Sequence, residues 1–196
     1  MPKILANQRE VFLENARRIL AEEGYSALSI RYLAKESGVA TGTLYNYFHS
    51  KEELAACIML EDWRQTLDRM HDCVAASGSF RDGLLGLSRC IAVFVSDYRP
   101  LWLQYTRGGG SGSVVDEHHA ELRAQIAGPV SLLINKTADR GLLALSDLLA
   151  EIILTAALHP DLGDGQLSLL AERLTAASGA FPGTGADSTE GSDEGI

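Results

Sequence analysis

The densest run of groups able to recognise another molecule is GVATGTLYNYFHSKEEL, Gly38 to Leu54. It arranges Thr41, Thr43, Tyr45, Asn46, Tyr47 and Lys51 around the apolar Val39, Leu44 and Phe48. It holds no nucleophile beside a base and no metal-ligand spacing. If the run is helical, Leu44 and Phe48 at i, i+4 face a core. At about 100° per residue, Gly42, Thr43 and Asn46 then point furthest from it, with Tyr45 and Tyr47 on the flanks. These types suit a DNA major groove. Threonine offers a hydroxyl and a methyl to base edges, asparagine can bond adenine in bidentate fashion, and tyrosine hydroxyls reach phosphates. Gly42 removes a side chain where the backbone must come close. Lys51, opening the next helix, combines its charge with a helix N-terminus on a phosphate. Arg31 is long enough to reach a guanine edge.

A second group, DEHH at 116–119 with His71 and Cys73 elsewhere, raises metal binding or acid–base catalysis. Adjacent histidines point about 100° apart on a helix, and the i, i+4 spacing that helix-borne ligands prefer is absent. Solvated residues at a helix start are the simpler account. No metal, cofactor or enzymatic activity is expected.

The elements that must position these groups read as helices, with no sustained period-2 alternation. The first runs from about Asn7, as N-cap, to Glu23, with Phe12, Ala16, Ile19 and Leu20 on one stripe. Gly24 stops it. Ser29 caps a short second helix with Ile30, Leu33 and Ala34 inward, and Gly38 ends it. A third runs from about Thr41 to Phe48. Ser50 with Glu53 is a capping box, so a long fourth helix begins at Lys51. Leu54, Ile58, Leu60, Trp63, Leu67, Met70 and Val74 form its stripe, until SGS at 77–79 breaks it. Leu84, Leu87, Ile91, Phe94 and Tyr98 stripe the next long helix, and Pro100 is expected to open a separate aromatic one, PLWLQY. RGGGSGS, 107–113, reads as a flexible loop. A long segment from about Val115 to Arg140 carries Leu122, Ile126, Leu133 and Ile134 inward, with a kink expected at Gly128–Pro129. Ser146–Leu158 and Gln166–Ser178 are the last two helices. The Gly-, Ser- and acid-rich residues 179–196 read as a disordered tail.

The chain has 196 residues, 46% hydrophobic and 22% charged, a soluble globular profile. No apolar run approaches the roughly 20 residues that span a bilayer, and MPKILANQRE carries no signal-peptide block. The cytoplasm is the expected location. Cys57, Cys73 and Cys90 read as reduced core thiols. The net charge of −9 hides an asymmetry: residues 1–51 carry +2 and the remainder −11.

Two short helices joined by a glycine-containing turn and braced by a longer one make a helix-turn-helix unit. SALSIRYLAKESGVATGTLYNYFHSKEEL, residues 26–54, resembles the DNA-binding signature of the tetracycline-repressor (TetR) family. The pairing of GTLYNYF with SKEEL is the specific part, and the resemblance covers roughly residues 9–55. It implies a homodimeric transcriptional regulator, usually a repressor released from operator DNA by a small ligand. Carried onto matching positions, Arg31, Thr41, Thr43 and Tyr45 face bases, while Tyr47 and Lys51 hold phosphates. Ala40 departs from the pattern, because many members place Ser or Thr there to cap the recognition helix, a cap worth about 1 kcal/mol. Thr41 also stands where a basic residue is frequent.

In the body, SDLLAEIILTAAL is apolar on more than one face, and Leu167, Leu170 and Leu174 stripe the helix after it. Two such helices from each chain, about residues 146–178, would make a four-helix dimer interface. Trp63, Met70, Phe94, Tyr98, Trp102 and Tyr105 could converge on one aromatic-walled cavity for a mostly apolar effector, with His118 as a polar tip. The fourth helix joins that cavity to the head, so a ligand shifting it would alter DNA affinity.

The expected architecture is all-α with about nine helices. Residues 1–51 form the DNA-binding domain, 52–178 the ligand-binding and dimerisation domain, and 179–196 the tail. The alternative is a helical small-molecule- or metal-binding protein, conceivably an enzyme, with a vestigial helix-turn-helix.

Overall fold

The structure, a computed structural model, describes residues 6–107, 112–159, 161 and 164–178, with side chains described for 8–99, 120–159, 161 and 164–177. Among these residues every regular element is helical: α1 (Ala6–Glu23), α2 (Ile30–Glu36), α3 (Thr41–Tyr45), α4 (Lys51–Ala76), α5 (Phe80–Arg107), α6 (Gly112–Thr137), a 3-10 turn (Arg140–Leu145), α7 (Ser146–Leu158) and α8 (Asp164–Ser178). The expected tail lies outside the described residues.

The N-terminal helices end where their chemistry requires. Gly24, at φ +82°, donates to Leu20 O and stops α1. Ser29 Oγ accepts from Tyr32 N at 3.1 Å and opens α2. Ser50 Oγ accepts from Glu53 N at 3.1 Å, while Glu53 Oε2 accepts from His49 N at 2.7 Å. That reciprocal cap starts α4, which runs 26 residues from the head into the body. At its far end Lys136 Nζ donates to the carbonyls of Val74 and Ala75 at 3.0 and 2.5 Å, placing a cation where the helix dipole is negative.

α5 packs against α4, α6, α7 and α8. Its approach to α4 is close, since a Cβ at Gly86 would stand 2.2 Å from Cys73 Sγ. One apolar cluster runs without a break from Phe12 in the head to Ala171 on α8, and a second, smaller one joins Leu85, Ala156 and Leu167.

Several expectations change. α1 begins at Ala6, so Asn7 lies inside it. α3 closes at Tyr45, because Asn46 and Tyr47 donate to Thr43 O and Leu44 O in a tighter turn. Leu60 is 50% exposed; Thr66 is buried on the inward face of α4 in its company of Trp63 and Met70. α5 continues through Pro100 to Arg107. Proline removes one backbone donor, but the buried stripe of Leu84, Leu87, Ile91, Phe94 and Tyr98 holds the helix to the bundle. Arg107, Gly112 and Ser113 belong to helices, and the rest of the expected loop, 108–111, lies outside the described residues. The 3-10 turn before α7 had no signal strong enough to read.

Arg140–Leu158, 19 residues, is long and apolar enough by composition to cross a membrane, contrary to the expectation that no run approaches that length. Its first part is the 3-10 turn, and the 13-residue α7 measures only about 20 Å against a hydrocarbon core of about 30 Å. α7 instead packs on α5 and α6 and buries Leu149, Ala150, Ile153 and Leu154.

Candidate nucleic-acid interface

The turn between α2 and α3 is set by backbone hydrogen bonds. Gly38 N donates to Lys35 O at 3.2 Å and Val39 N to Ala34 O at 3.0 Å, the paired bonds of a Schellman motif. Gly38 has φ +66°, which a side chain rarely adopts. Leu33, Leu44 and Phe48 are fully buried and anchor both short helices. Ala40, at the N-cap of α3, contributes no side-chain hydrogen bond, as its methyl group dictates.

With those anchors fixed, the surface follows. Arg31, Gly42, Tyr45 and Asn46 are exposed, and Thr41, Thr43, Tyr47 and Lys51 are half-buried. Tyr45 leaves 48% of its surface open. Tyr47 is tied down: its ring meets Phe12 edge-on at 5.2 Å and its hydroxyl donates to Gln8 Oε1 at 3.3 Å. Lys51 Nζ lies 3.9 Å over the Tyr25 ring.

The head's cations divide into two sets. Arg9 reaches Glu61 at 3.0 Å, Arg17 reaches Asp62 at 2.7 Å and Glu61 at 2.9 Å, and Arg18 reaches Glu36 and Glu22. Arg31, Lys35 and Lys51 have no acidic partner among the described residues. Lys35 was not singled out in the sequence, although it lies four residues beyond Arg31 and shares its outer face.

The head is joined to the body through Asp62. Arg17 Nε holds one oxygen of this carboxylate, and the Tyr98 hydroxyl donates to the other at 2.5 Å. Burial costs the Arg17 guanidinium some of its charge preference, but its bonds to Asp62 and Glu61 outweigh this and raise its pKa. Burial first, and the Asp62 hydrogen bond second, push the Tyr98 hydroxyl well above the usual phenol range.

Of the residues expected around an effector, Trp63, Phe94 and Tyr98 come together, with ring centroids 5.0 and 4.9 Å apart in sequence. Met70 is fully buried on the same helix as Trp63. The Trp63 indole donates to Gln125 of α6, a partner that carried no sequence signal. Trp102 and Tyr105 lie on α5 and His118 on α6, and their side chains lie outside the described residues, as do those of 116–119. Two cavities, of about 220 and 350 Å³, lie elsewhere: one between α5, α7 and α8, the other between α7 and α8.

Residues 12–58 match the model of the family described as bacterial regulatory proteins, tetR family. The fatty acid metabolism regulator protein of Bacillus subtilis is 29% identical over 87 residues, 44% of this chain and 45% of that protein. An HTH-type transcriptional repressor of Mycobacterium tuberculosis is 33% identical over 93 residues, 45% of each chain. The matched stretch thus spans less than half the length of these relatives. A TetR-family transcriptional regulator from Pectobacterium atrosepticum shares the fold, with a TM-score of 0.62 at 19% identity over 88% of this chain and 94% of that one.

Proposed function

We propose, from the premise that this chain belongs to the tetR family of bacterial regulatory proteins, that it is a cytoplasmic homodimeric transcriptional regulator binding double-stranded operator DNA. The observation that carries this reading is the exposed polar surface of α2 and α3 on a rigid, fully anchored turn. Arg31, Thr41, Thr43, Tyr45 and Asn46 read base edges, and Gly42 lets the backbone of α3 come close to the groove. Lys51 and Lys35 hold phosphates. Tyr47 reaches a phosphate through its hydroxyl by giving up a long 3.3 Å bond to Gln8. Arg9 and Arg17, bound to Glu61 and Asp62, orient the head on α4, Arg18 ties α1 to α2 through Glu36, and the reading surface is left to the cations without an acidic partner.

Residues 1–51 serve as the DNA-binding unit and 52–178 as the body. The dimer forms through α7 and α8, where Leu148 and Leu169 stand 55% and 54% exposed in the single chain. A small effector acts on the body around Trp63, Phe94 and Tyr98. Its signal passes to the head through α4, whose Asp62 touches α5 and α1 together. Repression relieved by the effector is the regulatory sense that the family resemblance supports.

The test is fluorescence anisotropy on DNA flanking the protein's own coding region, over a salt series. Binding that tightens steeply as salt falls and drops on Asn46→Ala supports the reading. Equal affinity for that DNA and for a scrambled duplex would sink it.

A further inference from the structure

The cavity of about 220 Å³ lies between α5, the C-terminal end of α7 and the first residue of α8. Its charged groups do not cancel. Arg89 and Asp164 neutralise one another, with Nε and Nη2 of the arginine 3.1 and 2.5 Å from Oδ2. Arg99, two turns and more along the same face of α5, lines the cavity and has no acidic partner among the described residues. The cavity therefore carries one uncompensated positive charge.

Two hydroxyls supply its other polar contacts. Ser96 stands one turn from Arg99, within reach of whatever that guanidinium holds. Ser88 is only 6% exposed, and its hydroxyl has no hydrogen-bond partner among the described residues. Its oxygen is not among the sealed-off polar atoms and opens onto the cavity it lines, so it can hydrogen-bond a ligand oxygen that enters there. Between these polar ends, Ala92 and Val95 of α5 and Ala156 and Leu158 of α7 give an apolar wall. Ser88 and Ser96 are eight residues apart, about 12 Å along a helix.

We propose that this cavity binds an elongated organic monocarboxylate carrying a hydroxyl group at its far end, such as a hydroxyaryl acid. The carboxylate lies on Arg99 and Ser96, whose planar fork and hydroxyl match its two oxygens. The hydrocarbon frame lies along Ala92, Val95 and Leu158, and the far hydroxyl meets Ser88. One net positive charge suits a monoanion better than a phosphate dianion. The volume is below the range of drug-sized pockets, which limits the ligand to a small one. None of these residues lies on α1 to α3 or in the Trp63–Phe94–Tyr98 cluster, so the site stands independently of the DNA-binding reading.

Isothermal titration of the full chain with three probes tests the assignment: 4-hydroxycinnamate, its uncharged amide, and cinnamate. The wild-type chain is expected to bind 4-hydroxycinnamate saturably at one site per chain, and the amide at least tenfold more weakly. Arg99→Gln, a surface change that leaves thermal melting unaltered, is expected to weaken 4-hydroxycinnamate at least tenfold while leaving the amide unaffected. Ser88→Ala is expected to weaken 4-hydroxycinnamate but not cinnamate. Absence of saturable binding to the wild type would overturn the proposal. So would an affinity unchanged by Arg99→Gln, or equal affinities of the wild type for 4-hydroxycinnamate and cinnamate.

Discussion

Tyr98 of α5 and Arg17 of α1 grip the same carboxylate, Asp62 of α4, from opposite sides: the hydroxyl donates to Oδ2 at 2.5 Å and the guanidinium Nε to Oδ1 at 2.7 Å. A body helix and a head helix are thereby tied to one point on the helix that connects them. Glu61, the neighbour of Asp62, extends the tie to Arg9 and to a second nitrogen of Arg17.

Removing the phenol oxygen tests the body side of this tie. Tyr98→Phe is expected to lower stability by about 1.5–3 kcal/mol, the worth of a hydrogen bond to a charged group, as read by urea denaturation. The pH dependence gives an independent readout. The folded pKa of Tyr98 is raised, so below about pH 10 folded and unfolded chains both keep the proton and stability is unaffected by it. Above about pH 10 only the unfolded chain releases it, and stability falls by up to about 1.4 kcal/mol per pH unit. Tyr98→Phe is expected to flatten that alkaline slope. Burial also raises the Cys90 thiol, but that contribution is common to the wild type and Tyr98→Phe and drops out of the comparison between them.

The missing cap on α3 predicts a gain. Ala40 has the extended conformation of an N-cap, φ −66° and ψ 141°, and is exposed. Ala40→Ser is expected to stabilise the chain by about 1 kcal/mol, seen as a higher denaturation midpoint with unchanged slope. An unchanged midpoint would mean that the backbone of α3 needs no cap.

Most of the head was legible in the sequence, because its signals are local. Gly24, Gly38, Ser29 and the Ser50–Glu53 pair each act within four residues of themselves, and the Leu44–Phe48 spacing fixes which face of α3 is covered. Pro100 misled for the same reason. Its local signal says break, and what overrides it is packing of α5 against four other helices. Leu60 misled because a spacing of three and four residues fits two neighbouring stripes on α4, and only the positions of α5 and α6 choose between them. The ties from Asp62 to Tyr98 and from Trp63 to Gln125 join residues 36 and 62 positions apart, so no reading of periodicity could find them.

Phosphate contacts are separable from base contacts by salt. Lys51→Ala is expected to reduce the slope of log affinity against log salt by about 1 and to weaken all duplexes alike. Tyr47→Phe, which keeps the ring on Phe12, is expected to weaken binding without changing the slope. Tyr45→Ala is expected to change sequence preference with little effect on stability, since nearly half of the side chain is exposed.

The dimer surface is expected to be charge-sensitive. Leu148→Glu with Leu169→Glu places carboxylates at two exposed leucines, so the fold should survive while self-association fails. Analytical ultracentrifugation should show a dimer for the wild type and a monomer for the double variant. A dimer that persists would locate the interface elsewhere.

The central claim is that α2 and α3 read a specific DNA sequence. Selection from a random duplex pool, followed by Kd measurement on the enriched site at about 0.15 M salt, tests it most directly. The account predicts a site with two inverted half-sites about one helical turn apart, bound at least about a thousandfold more tightly than a scrambled duplex, with Arg31→Ala and Asn46→Ala abolishing most of that preference. A pool that shows no enrichment, or an enriched site bound as well by Asn46→Ala and Arg31→Ala as by the wild type, would contradict it.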